Sequence, residues 1–235
     1  MRYSVSVPVY NTPLGDLAPM VARAEDAGFD RAFVYEVYFD PYLTLATAAL
    51  ATNRIQLGTA IAVAFSRSPF LAANQAADVD ELSGGRMLLG LGAGGKEQLE
   101  TLHGVPLTAP LGRIREYVEV LRLSWAHLAT GKPASFEGRF HKVILPEGNP
   151  FERHMARETI PIYLAGVRPK MISLAGEIGD GLMGFFYTPA FLKEVVHPNV
   201  AEGARRAGRD PSAVDVTSLT ICSVSTDRAE ASTTP

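Results

Sequence analysis

Short apolar, β-rich runs alternate along this chain with longer amphipathic stretches, and the alternation predicts a series of strand and helix units. Arg2 to Val9 reads as a buried parallel strand. A helix follows, with Asp16 as its cap, Pro19 in its first turn, Leu17, Val21 and Ala24 on one face, and Gly28 as its stop. Arg31 to Tyr35 is the second strand. Asp40-Pro41 then caps a helix whose Leu43, Thr47 and Leu50 line one face, and Ile55 to Ile61 is the third strand. Ser68-Pro69 opens a helix with Leu71, Ala72, Val79 and Leu82, closed by Ser83-Gly84-Gly85, and Met87 to Leu91 is the fourth strand.

The period fails from Lys96 to Ala109, then returns as a 3-4 stripe of Leu111, Ile114, Val118, Leu121, Trp125 and Leu128 that ends at Gly131 and Pro133. Ser135 to Val143 alternates around Glu137-Gly138 and predicts a small hairpin within an insertion of about 132–158. Ile160 to Ala165 is a fifth strand, Pro169 to Ile178 a helix, and Gly181 to Phe186 a sixth strand. Thr188-Pro189 caps a helix that Pro198 should kink, and Val214 to Val224 is the seventh strand. Thr226 to Pro235 offers a cap and first turn of one more helix.

Repeated βα units imply a parallel sheet covered by helices, and seven in unbroken series favour a closed α/β barrel of the (β/α)8 type over an open doubly wound sheet. Eight strands close such a barrel, so the expectation is one domain over 1–235 that is truncated after strand seven or is a fragment of a longer protein. An uncovered strand edge would recruit partners, which predicts a homo-oligomer.

Composition narrows the function classes. Of 235 residues, 47% are hydrophobic and 20% charged, as in ordinary globular α/β domains. A formal charge of −3 with no Lys/Arg cluster larger than Arg205, Arg206 and Arg209 argues against nucleic acid as a partner. Apolar stretches such as Leu43 to Ala51 are too short to span a membrane. The single cysteine, Cys222, excludes an internal disulfide, and a strand beginning almost at Met1 leaves no room for a secretion signal, so the expected location is the cytoplasm.

In a parallel barrel, chemistry sits at the C-terminal strand ends. After strand two stands Glu36, among the apolar Val34, Val37 and Ile61 and with no Lys or Arg in the four positions after it. A desolvated carboxylate of that kind is a candidate proton donor; a helix-capping or solvated acid is the competing reading. After strand three, Gly58 to Val63 is a small apolar run that either lines a site or continues the core. After strand four, Gly90-Leu91-Gly92-Ala93-Gly94-Gly95 satisfies G-x-G-x-x-G, which keeps a nicotinamide dehydrogenase on an open sheet as an alternative, although Lys96 to Leu102 is a short helix for a dinucleotide site. After strand five, Gly166-Val167-Arg168-Pro169-Lys170 joins a glycine, two cations and a helix N-terminus, which suits a phosphate or is a plain helix start. His103, His127, His141, His154 and His197 lack metal-ligand spacing and read as surface residues, so no metal site is expected. Cys222, within a strand, reads as a small core residue.

Ser66-Arg67-Ser68-Pro69, followed by Asp80-Glu81-Leu82-Ser83-Gly84-Gly85-Arg86 and Leu89-Gly90-Leu91-Gly92-Ala93-Gly94, resembles the luciferase-like monooxygenase superfamily. The nearest resemblance is to its deazaflavin branch, which includes methylenetetrahydromethanopterin reductase and glucose-6-phosphate dehydrogenase using coenzyme F420. Ala27-Gly28-Phe29-Asp30, Asn53 to Thr59 and Leu174 to Gly181 extend the resemblance over almost the whole chain. It implies a barrel whose mouth holds a flavin-like ring against a bulge after strand three, with a non-proline cis peptide matching Ala60-Ile61. Ring and tail contacts would fall on Glu36, Ala60, Ile61, Ala93, Gly94, Gly95, Ala165 and Gly166, with Arg168 near the phosphate. The implied cofactor is coenzyme F420, with FMN as the alternative, and the implied activity is hydride transfer between reduced cofactor and a small organic substrate; a non-catalytic flavin-binding protein is the second reading. Relatives commonly carry Asp-His where this chain has Glu36-Val37, and Val37 cannot transfer a proton. A reductase, with Glu36 or solvent as acid, therefore fits better than a sugar-phosphate dehydrogenase.

Overall fold

A computed structural model of the chain describes residues 2–8, 11–148, 153–223 and 225–226. Strand β1 (Ser4–Ser6) leads into helix α1 (Leu14–Asp26), then β2 (Arg31–Val34), α2 (Pro41–Ala51) and β3 (Gln56–Thr59). After a break at Ala60 and Ile61, the strand resumes as β4 (Ala62–Val63), and a 3-10 turn (Ala64–Ser66) leads to α3 (Pro69–Leu82). Next come β5 (Met87–Gly92), α4 (Lys96–Leu102), α5 (Pro110–Thr130) and the hairpin β6 (Ala134–Glu137) and β7 (Lys142–Leu145). The cycle continues with β8 (Ile162–Ala165), α6 (Pro169–Ile178) and β9 (Gly181–Phe185). A short α7 (Pro189–Phe191) runs through a π-turn (Leu192–Val196) into α8 (His197–Arg206), and β10 (Asp215–Leu219) is the last strand among the described residues.

The sheet is parallel and keeps chain order, β1-β2-β3-β5-β8-β9-β10, with β4 also pairing β5. A doubly wound sheet would reverse strand order beside β1, and this one does not, so the open-sheet nicotinamide alternative falls with the topology. The result is a nearly closed seven-strand barrel. Among the described residues β1 and β10 do not pair with each other. The antiparallel β6–β7 hairpin stands outside the barrel against α5, where the Glu116 carboxylate accepts the backbone N–H groups of Arg139, Phe140 and His141.

The Asp80 to Arg86 segment builds the corner between α3 and β5 rather than the mouth. Arg86 donates to the carbonyls of Ala49, Thr52, Ile55 and Ser83, stitching α2, β3 and α3 together. Asp80, with 1% of its side chain exposed, accepts the Met87 N–H and both arms of Arg157 from the insertion.

Several expected details shift. Helix α1 begins at Leu14 with Pro13 as its cap, which places Asp16 in the first turn and Pro19 inside the helix. Leu43, Thr47 and Leu50 do share one face of α2, but it is the outer one; the inner face is Tyr42, Leu45, Ala48 and Ala49. Likewise Leu71 and Leu82 are exposed, and the α3 core face is Ala72, Ala73, Ala76, Ala77 and Val79, since adjacent helices allow only small residues between them. Pro198 lies in the first turn of α8, where its missing N–H is harmless, and the irregularity is taken up by the π-turn before it. The seventh strand stops at Leu219, which leaves Cys222 exposed beyond it rather than in the core. His127 is buried, its Nδ1 2.7 Å from the Lys132 carbonyl oxygen, instead of lying on the surface. Val9, residues 149–152, Val224 and the helix expected from Thr226 onward fall wholly or largely outside the described residues.

Candidate active site

The barrel interior beneath the mouth is filled by Phe33, Leu88, Tyr163 and Met183, contributed by β2, β5, β8 and β9. Ala60, Ile61 and Ala165 pack on this cluster and are themselves only partly buried, so they form a small-residue apolar floor at the C-terminal end of the strands. Register creates the break that carries the first two. Gly58 pairs with Leu88 and Ala62 with Leu91, so the β3–β4 strand spends one residue more than β5 over the same length. That is a bulge. The Ala60–Ile61 peptide within it is cis, as the resemblance implied.

Glycines on β5 let this floor close up. A Cβ on Gly92 would overlap Ile61 Cδ1 and come within 3.2 Å of the Ala165 Cβ. Gly94, at φ +75°, adopts a backbone conformation that side chains disfavour and lies against Val63. Gly95 caps α4, and a Cβ there would meet nothing closer than 4.0 Å, so its face looks onto open space. The floor and this bare backbone make a flat, apolar cradle that a Cβ would intrude upon, which fits a planar ring. Next to β5 in the sheet, β8 ends at Ala165, and Gly166 follows it on the way to α6, so the N-termini of α4 and α6 follow neighbouring strands. Gly166 is buried and its carbonyl accepts the hydroxyl of Tyr187, whose ring sits against Gly184. Burial pushes the Tyr187 hydroxyl up to about 12, so it remains a donor at neutral pH.

Glu36 lies behind the bulge with 7% of its side chain exposed. Its backbone N–H donates to the Ile61 carbonyl at 3.2 Å, and its Oε2 accepts the Val63 N–H at 2.9 Å. The expected absence of a nearby cation is corrected: Arg67, 31 positions on, forks onto the carboxylate at 2.8 and 2.9 Å. Sequence neighbours could not show this, because the loop after β4 brings the guanidinium back to β2. Arg67 also stacks over Tyr42, 5.2 Å from the ring centre, and burial drives the Tyr42 hydroxyl well above its ordinary range. Burial works against the Arg67 charge, but the Glu36 bonds outweigh it and its proton is held more tightly than usual.

Of the sequence candidates, the fold brings Ala60, Ile61 and Ala165 into one cluster, sets Gly94 beside the bulge, and sets Glu36 behind it. Ala93 packs partly buried against the main core. Arg168 is exposed at the α6 N-cap and makes no side-chain hydrogen bond or ion pair among the described residues. Sequence reasoning passed over Arg67 and Tyr187 as site residues; Arg67 at least stands in the Ser66-Arg67-Ser68-Pro69 motif. Among the described residues no group of three or more His, Cys, Asp or Glu could hold a metal, and no helix is long and apolar enough to cross a membrane.

The chain is 34% identical over 218 residues to 5,10-methylenetetrahydromethanopterin reductase of Archaeoglobus fulgidus, covering 92% of this chain and 62% of that one. Its fold is similar to that of the coenzyme F420-dependent tetrahydromethanopterin reductase of Methanopyrus kandleri, with a TM-score of 0.84, 28% identity, and 98% and 68% of the two chains covered. It is also similar to an F420-dependent secondary alcohol dehydrogenase in complex with an F420-acetone adduct, at a TM-score of 0.82, 27% identity, and 98% and 72% coverage. The chain spans 58 to 66% of the length of the curated relatives it matches. Residues 1–234 match the model of the luciferase-like monooxygenase family, and the chain belongs to that family.

Proposed function

We propose that this chain forms the cofactor-binding part of an F420-dependent oxidoreductase that moves a hydride between the reduced deazaflavin and a small organic substrate. The observation that carries the reading is the cradle at the barrel mouth: a bulge of Ala60 and Ile61, the glycine backbone at Gly92, Gly94 and Gly95, and Ala165 on the adjoining strand. When bound, the deazaflavin supplies the hydride. The residues present fit it chemically, since Ala60, Ile61 and Ala165 offer an apolar face that orients a planar ring and keeps water from one side. Arg168 and the N-terminus of α6 suit the phosphate of a cofactor tail, because free N–H groups and a cation favour an anion there, and Gly166, its N–H and carbonyl both engaged within the protein, would shape the turn beneath it. Val37 cannot move a proton, and both oxygens of Glu36 already accept hydrogen bonds, so in this reading the proton comes from solvent.

Absorbance titration of the purified chain with coenzyme F420 and with FMN tests the proposal. Saturable binding of F420, tighter than FMN, is the expected result. Tighter FMN binding would transfer the reading to a flavin enzyme, and binding without turnover of any carbonyl, alcohol or imine substrate would favour the non-catalytic flavin-binding protein.

A further inference from the structure

We propose that Glu36 and Arg67 are a positioning pair that sets the bulge against the cofactor ring, so that cofactor affinity, and not proton supply, depends on them; this rests on the deazaflavin reading above. Glu36 grips the bulge at two points. Its N–H holds the Ile61 carbonyl and its Oε2 holds the Val63 N–H, which fixes the exit from the bulge around Ala62, while the Ala60 N–H donates to the Val34 carbonyl on the entry side. Both carboxylate oxygens are engaged: Oε2 also accepts Arg67 Nη1 and Oε1 accepts Arg67 Nη2 at 2.9 Å, while the Ser66 hydroxyl, 3.4 Å from Oε1, has its shorter bond to the Val63 carbonyl at 2.8 Å.

Arg67 is fixed in turn. Its side chain is 12% exposed, it stacks on Tyr42, and its Nη2 stands 3.8 Å from Asp40. The Tyr117 hydroxyl lies 3.4 Å from the carbonyl oxygens of both Arg67 and Ser68, tying the same loop to α5. The bidentate fork makes the arrangement directional, because a planar guanidinium fixes the orientation of the carboxylate plane and an ammonium does not. Losing either partner leaves the other charge buried and unpaired, which favours reorganisation of the bulge. Ala60 and Ile61 of the bulge are themselves part of the floor, so a displaced bulge displaces the surface on which the ring would lie.

The test compares the purified chain with Glu36→Gln, Arg67→Lys, Arg67→Met and the double variant Glu36→Gln/Arg67→Met, which removes both charges. Two quantities are read: hydrogen exchange of the Val63 amide without cofactor, and the Kd for coenzyme F420 together with the visible circular dichroism of the bound form. Each single variant should speed Val63 exchange and weaken F420 by about 10-fold or more, since a misplaced binding surface costs affinity steeply. The double variant should regain thermal stability relative to Arg67→Met without regaining affinity. Arg67→Lys should also fail to restore the wild-type dichroism. Wild-type affinity in all variants despite faster Val63 exchange would reduce the pair to a structural one and overturn the proposal. Wild-type affinity in Glu36→Gln with loss of one limb of the turnover pH profile would make Glu36 the acid and overturn it as well. Failure of the unaltered chain to bind F420 or FMN would overturn the function reading first, and is told apart by arising before any substitution.

Discussion

Arg31 and Asp215 meet at 2.7 Å, joining β2 to β10, two strands that are not neighbours in the sheet. Arg31 Nε also donates to Gln56 of β3, and the Tyr163 hydroxyl donates to the same Asp215 oxygen at 2.9 Å. Burial raises the Asp215 carboxyl, but the Arg31 and Tyr163 bonds outweigh it and hold it below the usual carboxylate range. The cluster gathers residues from the first turns of four strands, at the end opposite the candidate site. Arg31→Met should therefore lower stability by about 2–3 kcal/mol, through loss of the pair and of the Gln56 bond. Urea unfolding measures it, and a loss below about 0.5 kcal/mol, the usual size of a neutral surface change, would mean that the cluster contributes nothing.

Asp80 carries a comparable load at the corner between α3 and β5. With its side chain 1% exposed, it joins the insertion, through Arg157, to the start of β5. Asp80→Ala removes the carboxylate partner of Arg157, which keeps only its bond to the Met87 carbonyl, and leaves the Met87 N–H without an acceptor, so it should cost about 3 kcal/mol, whereas Asp78, 60% exposed in its pair with Arg153, should cost at most about 1 kcal/mol when changed to Ala. Denaturant midpoints of the two variants give the comparison, and equal losses would contradict the assignment of Asp80 as a buried anchor.

The strand series was legible because each strand is a short apolar run between turn residues, and burial of both faces erases any competing period. Gly131, left-handed at φ +66°, ended α5 where a glycine after the stripe predicts it. Faces were harder to read. In α2, which has no charged residue, Leu43 and Leu50 look as apolar as Leu45, and only packing decides which side turns inward. The bulge at Ala60 and Ile61 could not be counted from one strand, since an extra residue exists only relative to β5. The Glu36–Arg67 pair was invisible for a related reason: a contact across 31 positions depends on the turn at Ala64–Ser66, which no local pattern announces.

Glu177 gives the acid side of the stability profile. Hydrogen bonds from Arg115 and then Arg206 outweigh its burial and bring its carboxyl down to about 2, from an ordinary 4.5. A lowered carboxylate stabilises the fold above its unfolded value, and that contribution fades as pH falls from about 4.5 through about 2. Arg115 and Arg206 are about half exposed, so solvent screening keeps the contribution to about 1 kcal/mol. Glu177→Gln should lose that amount at pH 7 and be indistinguishable from the unaltered chain below pH of about 2. Thermal unfolding across this window reads the effect, and parallel profiles for the two proteins would count against it.

Tyr187 holds the carbonyl of Gly166, just after β8, and its ring occupies the space a side chain on Gly184 would need. Tyr187→Phe keeps the ring and removes only the hydroxyl, leaving a buried carbonyl without that donor, so stability should fall by about 1–2 kcal/mol. If Gly166 seats the cofactor tail, F420 affinity should fall as well while the apolar floor is untouched. Calorimetric melting and an F420 titration separate the two, and unchanged affinity beside a lowered Tm would place Gly166 outside the tail site.

The three glycines after the bulge should separate packing from binding. A Cβ on Gly90 would overlap the Thr59 carbonyl oxygen and lie 2.6 Å from Met183 Sδ, and since backbone cannot yield as a side chain can, Gly90→Ala should cost about 3 kcal/mol. On Gly92 the new methyl meets the end of the Ile61 side chain, which can rotate, so the cost in stability should be nearer 1 kcal/mol, but the rotation moves Ile61 at the floor and should weaken F420 binding. Gly95 has φ −73°, which alanine adopts freely, and nothing within 4 Å except Gln98 Cβ at 4.0 Å. Gly95→Ala should therefore melt like the unaltered chain. Its methyl would nevertheless stand on the open side of the cradle, so a ring or tail resting there is pushed away and affinity should fall about 10-fold, the equivalent of about 1.4 kcal/mol. Melting curves and F420 titrations of the three variants test the series together: the stability loss should decrease from Gly90 to Gly95 while Gly92 and Gly95 both lose affinity. A Gly95→Ala chain that binds F420 as tightly as its parent would move the cofactor off this stretch of backbone.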